Sequence, residues 1–328
     1  MLTRRGSGLA RQLCFRRHLS DYVKGVLARP VGVAAAQRMF FKHDGAPFSP
    51  WHDIPLVADA AKGEYNMVCE IPRWTNAKLE IDTKAAFNPI RQDSKNGKLR
   101  YVADVFPYKG YIWNYGALPQ TFEDPTHTDA DTGCVGDSDP VDVVEIGQAV
   151  CAQGSVHRVK VLGLVALIDD GETDWKVIAL RSDDPLAAKV HSVECLEKYM
   201  PGLLNATVDW FTRYKVPDGK PLNEWAFGGK PRDAEYARNV IASTHDAWKN
   251  LVGSQDSKFS IVNTTVKPSP HCLAPSDASD AFREIVGNNP DQIHTSEPFL
   301  APASAGGNAS GSKWYFVRGD KVCNQDMG

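Results

Sequence analysis

Apolar residues recur at every second position through the first half of the chain and at every third or fourth position in the second, so strands come first and helices follow. Tyr65–Ile71 and Ala77–Ile81 read as strands. In the second of these, Ala77, Leu79 and Ile81 alternate with Lys78 and Glu80, and a period of two places Lys78 and Glu80 together on the face opposite the apolar trio. Lys98–Val102 is another short strand with an Asn96-Gly97 turn signal ahead of it, and Val141–Ile146 is strand-like. Val156–Ile168 is strongly β-forming and meets Thr173–Leu180 across Asp169-Asp170-Gly171-Glu172, where the Asp-Gly pair predicts a hairpin. On the returning strand Asp174 and Lys176 share a face, with Thr173, Trp175 and Val177 on the other, and the hairpin brings Asp169 near Asp174.

Helical spacing dominates afterwards. Asp184-Pro185 reads as a helix start, and Pro201 opens a helix on which Leu204, Val208 and Phe211 recur. Asp233 caps a longer helix reaching about Leu251, with Ala237, Ile241, Thr244, Trp248 and Leu251 along one face. The Pro-, Ser- and Gly-rich tail from about Lys267 reads as mostly irregular, apart from Lys313-Trp314-Tyr315-Phe316-Val317, which is expected to pack back. The pattern is α+β and rich in β, without an internal repeat.

Composition narrows the class. A chain of 328 residues holds one large domain or two ordinary ones. A net charge of -3 argues against general nucleic-acid binding, and no run of eighteen apolar residues is present to span a membrane. The seven cysteines show no C-x-x-C spacing and read as free thiols in a reducing compartment. Met1–Ser20 carries Arg4, Arg5, Arg11, Arg16 and Arg17 and no acid, as a mitochondrial transit peptide does; a basic arm or a plastid signal is the competing reading. The expected organisation is therefore a leader and irregular arm over 1–45, a catalytic domain over 46–266 and an extension over 267–328, with the matrix as destination and another organelle or the cytoplasm as alternatives.

Charge then singles out one stretch. From Gly110 to His157 every charged side chain is an acid: Glu123, Asp124, Asp129, Asp131, Asp137, Asp139, Asp142 and Glu145. Carboxylates held close ionise only at a cost, so a compact cluster points to a hard divalent metal, with a solvated acidic loop as the bland alternative. Gly136–Asp142 is the densest part. Finding Lys78-x-Glu80 and Asp174-x-Lys176 on separate strands besides favours one mixed metal-and-anion pocket, suited to a phosphate ester or anhydride. No P-loop, EF-hand or H-E-x-x-H pattern is present. An aspartyl-phosphate loop at Asp137-Ser138-Asp139 lacks the buried strand that should precede it, and a nonenzymatic binding module remains open.

Glu70-Ile-Pro-Arg-Trp-Thr-Asn-Ala-Lys-Leu-Glu-Ile81, Lys98-Leu-Arg100, Gly110-Tyr111 with Asn114-Tyr115-Gly116, Gly136–Asp142, Asp169–Lys176 and Tyr214-Lys215 with Pro217–Lys220 together resemble the family I, eukaryotic-type soluble inorganic pyrophosphatases. The resemblance covers about residues 65–252, with a weaker echo at Lys313–Phe316; Ser138 departs from the Asn usual in the eukaryotic form. It implies a five-stranded OB-like β-barrel with flanking helices and long loops, with diphosphate as substrate and a second copy as partner in a homodimer. It further implies two to four Mg²⁺ per site, at Asp137, Asp142 and Asp174, with Asp169 and Glu80 as further ligands and Glu70 behind them. A hydroxide bridging two metals would attack phosphorus with Asp139 as base, Arg100 and Tyr115 completing the catalytic set. Lys78, Arg100, Tyr111, Lys176, Tyr214 and Lys215 would bind the phosphates, and no covalent phosphoenzyme would form.

Overall fold

Strand pairing follows from the patterning, but its closure is a tertiary property. The computed structural model describes residues 24–28, 38–255, 257–287, 293–294 and 314–323. The strands before the acidic stretch are β1 (Lys24–Ala28), β2 (Arg38–His43), β3 (Ala46–Phe48), β4 (Val57–Asp59), β5 (Glu64–Ile71), β6 (Leu79–Ile81), β7 (Ile90–Gln92), β8 (Ser94–Lys95), β9 (Lys98–Leu99), β10 (Asp104–Val105) and β11 (Asn114–Ala117). After it come β12 (Asp142–Glu145), β13 (Val156–Asp169), β14 (Glu172–Arg181), α1 (Leu196–Tyr199), α2 (Leu203–Arg213), β15 (Glu224–Trp225), β16 (Arg232–Asp233), α3 (Ala234–Gly253), α4 (Pro275–Val286), β17 (Ile293–His294) and β18 (Trp314–Tyr315).

In the main sheet β5 pairs with β11, β11 with β12, β12 with β14 and β14 with β13, and the start of β13 returns to β5, so five strands form a closed circuit of pairings. The β12–β14 pairing is parallel and the others antiparallel. The start of β13 lies between β5 and β14, and its register against β14 shifts between Val161 and Gly163. Gly163 has no room for a side chain, since a Cβ would lie 2.3 Å from the Arg232 carbonyl oxygen. A glycine at a bulge lets the strand bend and a neighbouring backbone approach. The β13–β14 hairpin turns on Asp170 and Gly171, at φ 51° and 88°, the left-handed pair a two-residue hairpin requires.

Both faces of this circuit are apolar. Val144, Leu162, Val165, Leu167 and Ile178 pack with Trp113 and with Trp210 and Phe211 of α2, while Val143, Leu164, Ala166, Val177 and Ala179 pack with Ala237, Val240 and Ile241 of α3. Asp233 caps α3, its carboxylate accepting the Tyr236 amide at 2.8 Å, as its sequence position predicts. A second sheet, in the order β17-β1-β2-β7-β6 with β3 on β2, holds the Lys78–Ile81 segment beside the main one.

Four expectations differ. Asp184-Pro185 opens no helix; the segment is a run of turns, because the Asp184 carboxylate accepts the Leu186 and Gln148 amides at 2.8 and 2.7 Å. Lys98–Val102 is not one strand: Lys98-Leu99 form a two-residue exposed ladder against β8, and Tyr101 makes a single antiparallel bridge to Ala77. The tail is not irregular throughout: α4 buries Ala278 and Phe282 against Phe40 and Phe87, four residues apart on one helical face. The segment expected to be an irregular arm includes β2, whose Met39, Phe40 and Phe41 are core residues. Trp314-Tyr315 does pack back, in parallel with Asp104-Val105. The Arg-rich start, Met1–Ser20, lies outside the described residues. No helix among those described is long and apolar enough to cross a membrane.

Candidate active site

The Asp loop is fixed by backbone bonds to Glu123. The Glu123 amide donates to the Asp139 carbonyl and the Ser138 amide to the Glu123 carbonyl, each at 2.9 Å. Gly136 permits this approach, since a Cβ there would lie 2.3 Å from the Glu123 carbonyl carbon. Ser138 turns at φ 78°, and its neighbours Asp137 and Asp139 both line a cleft. The Asp139 amide donates to the Asp137 carboxylate at 2.9 Å, tightening the turn.

Asp142 begins β12, and the parallel register sets it opposite Lys176 of β14. The Lys176 ammonium, 3% exposed, donates to Asp142, to Asp174 at 2.5 Å and to the Tyr115 hydroxyl at 2.8 Å. Tyr115 in turn donates to Asp142. From the hairpin end Asp169 accepts from Lys215 and, at 3.3 Å, from the Tyr214 hydroxyl. Across the cleft Lys78 lies 3.1 Å from Glu80, on the face the strand period predicts. Buried Glu70 accepts the Ile81 amide at 2.7 Å, joining β5 to β6 beneath them.

Every residue expected in the site lines this cleft except Arg100 and Lys215. Lys215 reaches it through Asp169. Arg100 is held by Asp93 at 2.5 Å, and Asp93 lies 3.8 Å from Lys78, so the guanidinium stands one contact behind the wall. Its charge is still felt by Tyr111 and Tyr214.

Glu123 was not among the expected site residues, yet it sits at the bottom of the cluster. It is 3% exposed; one carboxylate oxygen accepts the Trp175 amide at 2.9 Å, and the other is buried with no hydrogen-bond partner. Among the described residues, Glu123, Asp137 and Asp174 form a group of acids whose oxygens lie within 4.8 Å of one another. Asp142, expected as a metal ligand with Asp137 and Asp174, lines the same cleft and bonds to Lys176 and Tyr115. The signal for Glu123 in the sequence is an acid set directly after apolar Phe122, within the acid-only stretch.

Burial and mutual repulsion raise these acids. Burial, then the charges of Asp139 and Asp142, push Asp137 up to about 8. Enclosure by the cleft, then Glu80, pushes Asp139 up to about 7, although its side chain is open to the cleft. Burial also holds Glu70, Glu123 and Asp174 well above the carboxylate range, with neighbouring acids adding to each. Burial works against the charge of Lys176, but Asp142 and Asp174 outweigh it and keep the amine protonated. Tyr111, Tyr115 and Tyr214 are raised by burial and stay donors. Hard oxygen donors, an unpartnered buried carboxylate oxygen and repulsion awaiting a cation together fit a divalent metal.

A family model described as inorganic pyrophosphatase matches residues 67–249. The chain is 57% identical over 252 residues to the inorganic pyrophosphatase of Mus musculus, spanning 76% of this chain and 85% of the mouse protein. The chain belongs to the inorganic pyrophosphatase family. The Homo sapiens inorganic pyrophosphatase is 56% identical over 252 residues, again 76% of this chain and 85% of the relative. The solved inorganic pyrophosphatase of Schistosoma japonicum aligns at a TM-score of 0.71 and 49% identity, covering 74% of this chain and 87% of that one. The pyrophosphatase match spans every cleft residue from Glu70 to Tyr214 and stops before α4 and β18.

Proposed function

We propose that this cleft hydrolyses inorganic diphosphate to two phosphates. The observation that carries the reading is the facing of two charge sets across one cleft in a member of the pyrophosphatase family: Asp137, Asp139 and Asp174 on one side, Lys78, Lys176 and the Tyr111 and Tyr214 hydroxyls around them. Glu123, Asp137 and Asp174 would hold one Mg²⁺, with Asp142, Asp169 and Glu80 available to others, two to four in all. Bound there, Mg²⁺ offsets charge on the diphosphate and lowers the pKa of the attacking water.

The chain's own residues do the rest. Asp139, beside Asp137 and open to the cleft, takes the proton of that water. Lys78, Tyr111 and Tyr214 orient the phosphates, with Lys215 and Arg100 behind them, and Lys176 and Tyr115 fix Asp142 and Asp174. Water attacks phosphorus directly and no side chain is esterified. Phosphate release from diphosphate, compared with that from a phosphomonoester and with Mg²⁺ added or chelated, tests the reading. Activity on the monoester alone would overturn it.

Three further readings belong to the proposal. The closed circuit of five strands supports an OB-like barrel. A homodimer is supported by an exposed aromatic face, where Phe106 (51% exposed) stacks on Phe316 (46%) at 5.2 Å; light scattering at a dimer's mass is the expected result. A matrix location is supported by the Arg-rich start, and imaging a fusion to residues 1–45 tests it.

A further inference from the structure

The two walls of the cleft differ in how their acids are neutralised. Among the described residues, no cation lies within 4.0 Å of Asp137 or Asp139 in an ion pair, and Lys176 alone serves both Asp142 and Asp174. On the opposite wall and directly behind it Glu80, Asp82 and Asp93 face Lys78, Arg91 and Arg100, three acids to three cations. Arg91 is the centre of that set. Antiparallel pairing of β6 with β7 puts it directly opposite Glu80, and its guanidinium reaches Glu80 at 3.1 Å, Asp82 at 2.9 Å and Asp93 at 3.9 Å. Lys78 takes the other Glu80 oxygen at 3.1 Å, so both oxygens of Glu80 are already engaged by positive charge.

We propose that Arg91 is a built-in counter-ion of Glu80 and that this ion pair holds down the affinity of the Glu80 wall for a divalent cation. The inference rests on the reading of Glu80 as a cation ligand. The two cations on Glu80 are not equivalent. Lys78 faces the cleft and is free to turn to a bound phosphate, whereas Arg91 lines an adjoining cavity together with Lys84, Lys258, Asp137 and Asp139 and is tethered by Asp82. Its charge therefore stays next to Glu80 whatever occupies the cleft. A metal binding to Glu80 must displace Arg91 from the carboxylate or bear its repulsion at close range. Arg91 does not line the cleft itself, and acts on cation binding through Glu80.

Mn²⁺ binding to the full chain, measured by electron paramagnetic resonance of the free ion, tests this. Wild type should show a weaker class of sites that Glu80→Gln removes. Arg91→Met should tighten that class at least fivefold, and Arg91→Lys, which keeps the charge, should leave it within about twofold. Arg91→Gln, which retains a polar contact for Asp82, should tighten it as Arg91→Met does and serves if the methionine variant does not fold. An Arg91→Met or Arg91→Gln affinity equal to or weaker than wild type, with the class still lost in Glu80→Gln, would overturn the role of Arg91. Mn²⁺ binding unchanged in Glu80→Gln would instead overturn the reading of Glu80, and the inference with it.

Discussion

Replacing Lys176 by methionine keeps most of the side-chain volume against Tyr115 and Phe211 while removing the cation shared by Asp142 and Asp174. A unit charge about 4 Å from another is worth about 4 kcal/mol at an effective dielectric near 20, so two pairs are large in gross terms. Burying the ammonium returns several kcal/mol of that, but deleting one partner of a buried pair strands the other, at a cost of about 3–5 kcal/mol. Both carboxylates here lose the same cation, and Asp174 is itself 5% exposed. With Mg²⁺ bound the missing positive charge is largely replaced, and at low pH Asp174, already raised by burial, can protonate. Urea unfolding of Lys176→Met at about pH 8 in chelator should therefore show a loss of about 3–5 kcal/mol. In saturating Mg²⁺, or in chelator at about pH 5, the loss should shrink to less than half. An equal loss under all three conditions would refute the account, because it would mean that Lys176 stabilises by packing and not by neutralising the acids.

Asp139→Asn should lower turnover on diphosphate by about 10²–10⁴-fold with an unchanged melting temperature, and a near-normal rate would remove Asp139 as the base. Glu123→Ala strips the acceptor from the buried Trp175 amide and should cost about 1–3 kcal/mol in urea unfolding; a neutral result would show that water replaces it. Asp137, at about 8 in the folded chain against an ordinary value near 3.9, binds its proton more tightly when folded, so its contribution is complete at low pH and lost as pH rises towards 8. The melting temperature of the chelated protein should accordingly decline across that window and flatten when Mg²⁺ is added, and a rise with pH in chelator would contradict the assignment.

Local rules carried much of the site. The period of two put Lys78 with Glu80 and Asp174 with Lys176, and the Asp170-Gly171 turn could adopt its two left-handed conformations at little cost. The same rules say which face a side chain occupies but not which strand lies beside it. Closure of β5 on β13 joins Val68 to Val156 across a long loop, and nothing in either segment names the other. The helix at Pro275–Val286 was obscured by the Ser- and Pro-rich composition around it, although Ala278 and Phe282 carry helical spacing. Glu123 and Arg91 look like ordinary charged residues because their importance lies in partners that the fold brings alongside, Trp175 and Asp137 for one and Glu80 for the other.

The parallel register of β12 on β14 shows where the local reading stops and the fold takes over. Asp142 faces the same cleft as Asp174 and Lys176 only because it is paired opposite Lys176. A slip of one residue would point Asp142 to the opposite face and bring Val143 into its place, leaving Lys176 with one acid where it now has two. What holds the register is apolar: Val143 and Val177 are buried on the α3 side, and Val144 and Ile178 on the side of α2. Their alternation makes the slipped pairing costly, since each would exchange a packed environment for the other side of the sheet. The charged site is thus specified by hydrophobic residues that never touch it, and a substitution such as Val143→Asp should damage metal binding through register as well as through stability.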